Sequence, residues 1–214
     1  MSNNFGLNYL YRKIFKETAS LEVNEFITNL SWSFLGGLIA SIVMFAVNIY
    51  IGRIIGPYQF GKYNLVLTIS QLLLVPLMFG FEVGSVRAIA KSLSSQNKKD
   101  IISTSLYFVL TNMTIMVLLI YFLTPIITKK FNLEASVIFA ILLFTIVSGA
   151  KQLLDSFIRG FSKFYSQFLG RILELVVALI TLSVLIFYYK KLDYLSYVIV
   201  IISPAVTLNV NEFI

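Results

Sequence analysis

Two charges, Arg171 and Glu174, stand three residues apart inside the otherwise apolar run from Phe164 to Tyr189. If that run enters a bilayer at its N-terminal end, Arg171 lies roughly 10 Å deep and Glu174 roughly 15 Å deep, at about 1.5 Å per helical residue. A charge at that depth is costly enough to be a functional candidate in its own right. Residues i and i+3 share a helix face, so the two can neutralise each other, face a water-filled cavity, or do both. Asp155 and Arg159 repeat the theme at i and i+4, acid first, near the end of their run. There snorkelling lowers the cost of burial, and an interfacial salt bridge is the expected arrangement. Glu82 and Arg87 close another run in FGFEVGSVRAIAK, with Pro76 just upstream. A kink in one continuous helix is expected there, although proline with glycines also marks broken elements that line cavities. Asn48, near the end of the first run, can bond across helices or face a cavity.

Other chemistry has little to work with. The chain contains no histidine and no cysteine, which excludes disulfides, thiol nucleophiles, HExxH zinc sites and histidine acid–base catalysis. The stretch GRIIGPYQFGKY, residues 52–63, has the glycines and lysine of a phosphate-binding loop, but Lys62 is followed by Tyr63 rather than by the Ser or Thr that would hold magnesium. It reads instead as a turn, with Gly56-Pro57 reversing the chain and Tyr58, Phe60 and Tyr63 anchoring helix ends at a membrane interface. Gly36, Gly37, Gly149 and Gly160 are explained by close helix approach. No GxSxG or DxD motif occurs, so no enzymatic activity, cofactor or metal is expected.

The elements that must position these groups are helices in a bilayer. With 58% hydrophobic and 13% charged residues and a mean hydropathy of +0.86, the chain lacks the polar surface a soluble domain of 214 residues needs. Its apolar runs are continuous rather than alternating, which selects spanning helices over barrel strands. Six are expected, at about 30–52, 61–86, 101–128, 134–160, 164–189 and 193–211, preceded by an N-terminal segment over 1–29. Within that segment NYLYRKIFKE suits either a helix lying on the membrane surface or a loose tail. With the N-terminus inside, ten cations fall in cytoplasmic segments and six in outer ones, Arg171 being left within a span, which favours a cytoplasmic N-terminus. The net charge of +7 is spread between spans rather than gathered on one face, which points to anionic lipid rather than nucleic acid. No internal repeat is visible. The fold class is therefore all-α, a polytopic six-helix bundle.

Two blocks carry a family resemblance. GRIIGPYQFGKYNLVLTISQLLLVPLMFGFEVGSVRAIAK, through Arg53, Gly56, Phe60-Gly61, Tyr63, Gly80, Glu82, Gly84 and Arg87, resembles the first two membrane helices of polysaccharide flippases. These are the O-antigen, Wzx-type members of the multidrug/oligosaccharidyl-lipid/polysaccharide exporter superfamily. SFIRGFSKFYSQFLGRILELVVAL is similar to their connection from helix four to helix five. The resemblance implies movement of a polyprenyl-pyrophosphate-linked oligosaccharide repeat unit across the cell membrane by alternating access. Arg171 would be the main ligand of the diphosphate, Arg53, Arg87 and Arg159 would sit at the cavity rims, and Glu174 would partner Arg171 or titrate in an ion-coupled step. Such flippases have two lobes, and six helices correspond to the N-terminal one. A C-terminal lobe, a second copy or glycan-assembly proteins are thus expected partners. A multidrug-type exporter of the same superfamily and a non-transporting scaffold subunit are the competing readings.

Overall fold

The computed structural model describes residues 21–131, 133–188 and 193–207, with backbone alone at 21–26, 131, 188 and 204–207. The surface-helix expectation over residues 8–17 and the segment 208–211 lie outside them. Among the described residues six helices follow one another: α1 (Leu21–Met78), α2 (Phe81–Lys91), α3 (Ser95–Phe131), α4 (Ala135–Gly160), α5 (Phe164–Tyr188) and α6 (Tyr194–Thr207). Four of them are long and apolar enough to cross a membrane.

The longest, α1, is a hairpin. At Gly56 the backbone takes φ 76° and ψ 168°, a conformation essentially reserved for glycine, and Pro57 follows. Two arms result, residues 21–55 and 57–78. The Tyr63 hydroxyl donates to Asn48 Oδ1 at 3.3 Å, a contact that fifteen residues of straight helix, about 22 Å long, would forbid. The turn expected at Gly56-Pro57 is therefore present. Tyr63, however, is not an interfacial anchor: it is 1% exposed, its ring 5.6 Å from that of Tyr197 on α6. Tyr58 remains outside, 71% exposed.

The expected continuous helix over 61–86 is broken rather than kinked. Phe79 and Gly80 both adopt positive φ, 46° and 81°, three and four residues after Pro76. Proline removes one backbone donor and glycine accepts the left-handed geometry, so α1 ends and a short α2 begins in a new direction. Glu82 thereby falls in the first turn of α2, where the helix dipole favours an acid. Helix α3 also starts earlier than expected, at Ser95, and so includes Lys98 and Lys99.

Helix α4 is the centre of the bundle. Half of its most apolar stretch is buried, against 17–22% in the other three candidate spans. It is gripped at small residues: a Cβ on Gly149 would lie 2.7 Å from Leu77, and one on Gly160 would lie 2.9 Å from Ile89. Ser70 donates to the carbonyl of Ile141, and Ser85 and Ser156 meet at 3.3 Å between α2 and α4. One core joins Ile51, Tyr63, Phe144 and Tyr197 near the Gly56 end; another joins Leu77, Ile89, Leu153 and Phe157 near α2. Phe45, Val75, Phe122 and Phe187 point outward, as a lipid-facing surface requires.

Candidate functional site

On α4 the residues Ser148, Lys151, Gln152, Asp155 and Arg159 recur at helical spacing and face one way. They meet Gln71 and Leu74 of the second α1 arm, Glu82 of α2, Gln167 and Arg171 of α5, and Ile201 and Ile202 of α6. Between them lies a cleft of about 440 Å³. Such a concentration of charge inside an apolar bundle needs internal partners.

Two ion pairs supply most of them. Arg159 Nη2 donates to Glu82 Oε1 at 2.6 Å, and the Gln152 amide donates to the other carboxylate oxygen. Lys151 Nζ contacts Glu174 Oε2 at 2.5 Å. The expected Arg171–Glu174 pair is not formed, because Lys151 of the neighbouring helix takes the carboxylate. An intrahelical pair is worth only about 0.2–0.5 kcal/mol, less than a well-aligned charge-assisted bond between helices. The expected Asp155–Arg159 bridge is likewise replaced by Glu82–Arg159, and Asp155 makes no ion pair among the described residues.

Arg171 instead reaches α1, where Nη1 donates to the Ser33 carbonyl at 3.4 Å. Its path explains two glycines. A Cβ on Gly37 would lie 3.2 Å from the guanidinium, and one on Gly36 would lie 3.2 Å from Phe168 and 3.5 Å from Arg171 Cδ. Trp32 closes the same junction, its ring 5.1 Å from those of Tyr165 and Phe168. Arg171 thus lines the cleft outside any direct ion pair among the described residues, with the Asp155 carboxylate of α4 the acid it interacts with across the cleft. Two polar atoms are buried there without a partner among the described residues, Arg159 Nε and Gln167 Oε1. The cleft consequently keeps spare donors and a spare acceptor for a polar, anionic guest.

Of the residues singled out by sequence, Glu82, Asp155, Arg159 and Arg171 line this cleft, and Glu174 adjoins it through Lys151. Arg87 is exposed on α2 and shares a 220 Å³ side pocket with Glu82 and Arg159. Asn48 and Arg53 lie near the other end of the bundle, Asn48 bonded to Tyr63 and Arg53 exposed beside the turn. Sequence reasoning missed Gln71, Ser148, Gln152 and Gln167 and gave Lys151 only a topological role. Its usable signal was the spacing from Ser148 to Arg159 along one face of α4. Among the described residues no group of three or more metal-ligating side chains converges.

The opposite end has its own polar cluster. Lys62 Nζ contacts Glu134 Oε1 at 2.6 Å, Ser136 donates to the other oxygen, and Tyr194 donates to Ser136 at 2.8 Å. The ammonium also lies 4.9 Å from the Tyr58 ring centre and 5.5 Å from that of Tyr194. The hydrogen bond from Lys62, then that from Ser136, holds the Glu134 carboxyl below its ordinary value of 4.5.

The sequence model of a family described as polysaccharide biosynthesis protein matches residues 26–210. The chain belongs to that family. The match runs from the first arm of α1 through α6 and so covers every residue that lines the cleft. By the length and apolar composition of its helices the chain is a multi-pass membrane protein, all-helical among the described residues. No curated protein and no solved structure matches it.

Proposed function

We propose that this protein is a flippase that carries a polyprenyl-pyrophosphate-linked oligosaccharide across the cell membrane during surface polysaccharide assembly. The observation that carries the reading is Arg171, a guanidinium lining a 440 Å³ cleft and engaged in no direct ion pair among the described residues. A lipid diphosphate crossing hydrocarbon needs charge-assisted hydrogen bonds to replace water, and arginine offers them in a planar fork suited to phosphate. Arg159 adds a second guanidinium at the mouth toward α2, with Arg87 beyond it. The positive-inside count supports a reading in which that end and the N-terminus face the cytoplasm, the side from which the lipid-linked sugar is carried.

In this reading a second lobe, a second copy or a glycan-assembly protein completes the path. Proteoliposomes containing the chain, with any natural continuation beyond Ile214, are expected to move a fluorescent polyprenyl-pyrophosphate sugar between leaflets faster than empty vesicles. Equal rates would refute the proposal. The unpaired Asp155 favours one other reading, export of a lipophilic cation by a carboxylate in the same cleft. Transport of such a cation with none of the lipid-linked sugar would establish it.

A further inference from the structure

Gln167 is a polar side chain lining the cleft, yet the residue is only 4% exposed and its Oε1 has no hydrogen-bond partner among the described residues. Burying an unsatisfied amide oxygen destabilises a fold, and an apolar residue of similar length would avoid the penalty. The orphan atom is an acceptor, so only a ligand that brings a donor can satisfy it. A fully ionised diphosphate brings none, whereas a sugar ring carries several hydroxyls.

The helix fixes where that sugar would sit. Gln167 and Arg171 are one turn apart on α5, about 5–6 Å between side-chain origins on one face. That spacing is close to the separation between a phosphate and the hydroxyls of the sugar directly bonded to it. Gln71 and Ser148 add uncharged hydrogen-bonding groups on the facing walls.

Resting on the flippase reading, we propose that Gln167 is a specificity residue that accepts a hydroxyl hydrogen bond from the phosphate-linked sugar while Arg171 holds the diphosphate. The cleft then reads the two halves of its substrate with different chemistry, the anion by guanidinium and the sugar by a neutral amide.

The test compares binding of two lipids to the detergent-solubilised protein and to its Gln167→Met variant: a polyprenyl-pyrophosphate sugar and the same polyprenyl pyrophosphate without sugar. The wild type is expected to prefer the sugar-bearing lipid. Gln167→Met is expected to bind the sugar-free lipid unchanged and the sugar-bearing one about five- to tenfold more weakly, with no drop in thermal midpoint. A variant that keeps the preference overturns the assignment, and so does one that loses both lipids equally, which would make Gln167 structural. Equal wild-type affinity for the two lipids also overturns it while leaving the diphosphate reading intact. A wild type that binds neither removes the flippase reading along with it.

Discussion

The two ends of the bundle use charge in opposite ways. At the Gly56 end, Lys62, Glu134, Ser136 and Tyr194 form a closed chain in which each member satisfies another. It ties together the hairpin turn, the start of α4 and the start of α6. At the α2 end, Lys151, Arg159 and Arg171 stand among Glu82, Asp155 and Glu174, with two ion pairs and, outside any ion pair among the described residues, Asp155 and an Arg171 bonded to a backbone carbonyl. Orphan atoms alone do not distinguish the ends, since Gln59 Oε1 and the Tyr197 hydroxyl are also buried without partners. What distinguishes the α2 end is that orphan atoms, charges outside any direct ion pair and open volume coincide among the described residues. A fully satisfied polar network serves structure, whereas a partly satisfied one around a cavity has capacity left for a ligand.

That contrast can be broken by substitution. The largest expected effect is that of Glu82→Ala, which deprives both Arg159 and Gln152 of their acceptor. Breaking a fully buried pair costs about 3–5 kcal/mol, and the partial exposure here reduces the loss to about 2–3 kcal/mol. Thermal unfolding in detergent checks this, and an unchanged midpoint would show that α2 is not held by its carboxylate. Lys62→Met at the other end is expected to lower the midpoint far less, because the Lys62–Glu134 pair is solvated and screened.

The smallest effect is the pH dependence of that second pair. Glu134 has a lowered folded value, so its contribution is present above the ordinary carboxyl range and disappears as pH falls through the folded value. The difference in midpoint between wild type and Lys62→Met is therefore expected at neutral pH and expected to vanish in acid. A difference that grew on acidification would contradict the assignment.

Much of the fold could be read from the chain because the bilayer imposes continuous apolar runs and because Gly56-Pro57 is an unambiguous reversal. The break at Phe79-Gly80 was harder, since proline and glycine in a spanning helix are compatible with either a kink or an interruption. In the site, Arg159, Arg171 and Glu174 stood out because a charge in an apolar run costs so much. Gln167 and Ser148 did not, since a neutral polar residue barely alters hydropathy. Partner choice was not legible at all: Lys151 and Glu174 are 23 positions apart, Glu82 and Arg159 are 77, and only packing of α2, α4 and α5 brings them together. The glycines at 36 and 37 were read as helix contacts, and they are, but the object they admit includes the Arg171 side chain.

The central claim, that the cleft and not the Gly56 end handles the lipid diphosphate, is tested most directly by translocation rates of Arg171→Ala and Arg53→Ala in the same proteoliposomes. Losing one charge-assisted contact of about 1.5–3 kcal/mol predicts a fall of roughly ten- to a hundredfold for Arg171→Ala, with Arg53→Ala within about twofold of wild type. An Arg171→Ala protein that translocates at the wild-type rate, or an Arg53→Ala protein that is the slower of the two, would contradict the account.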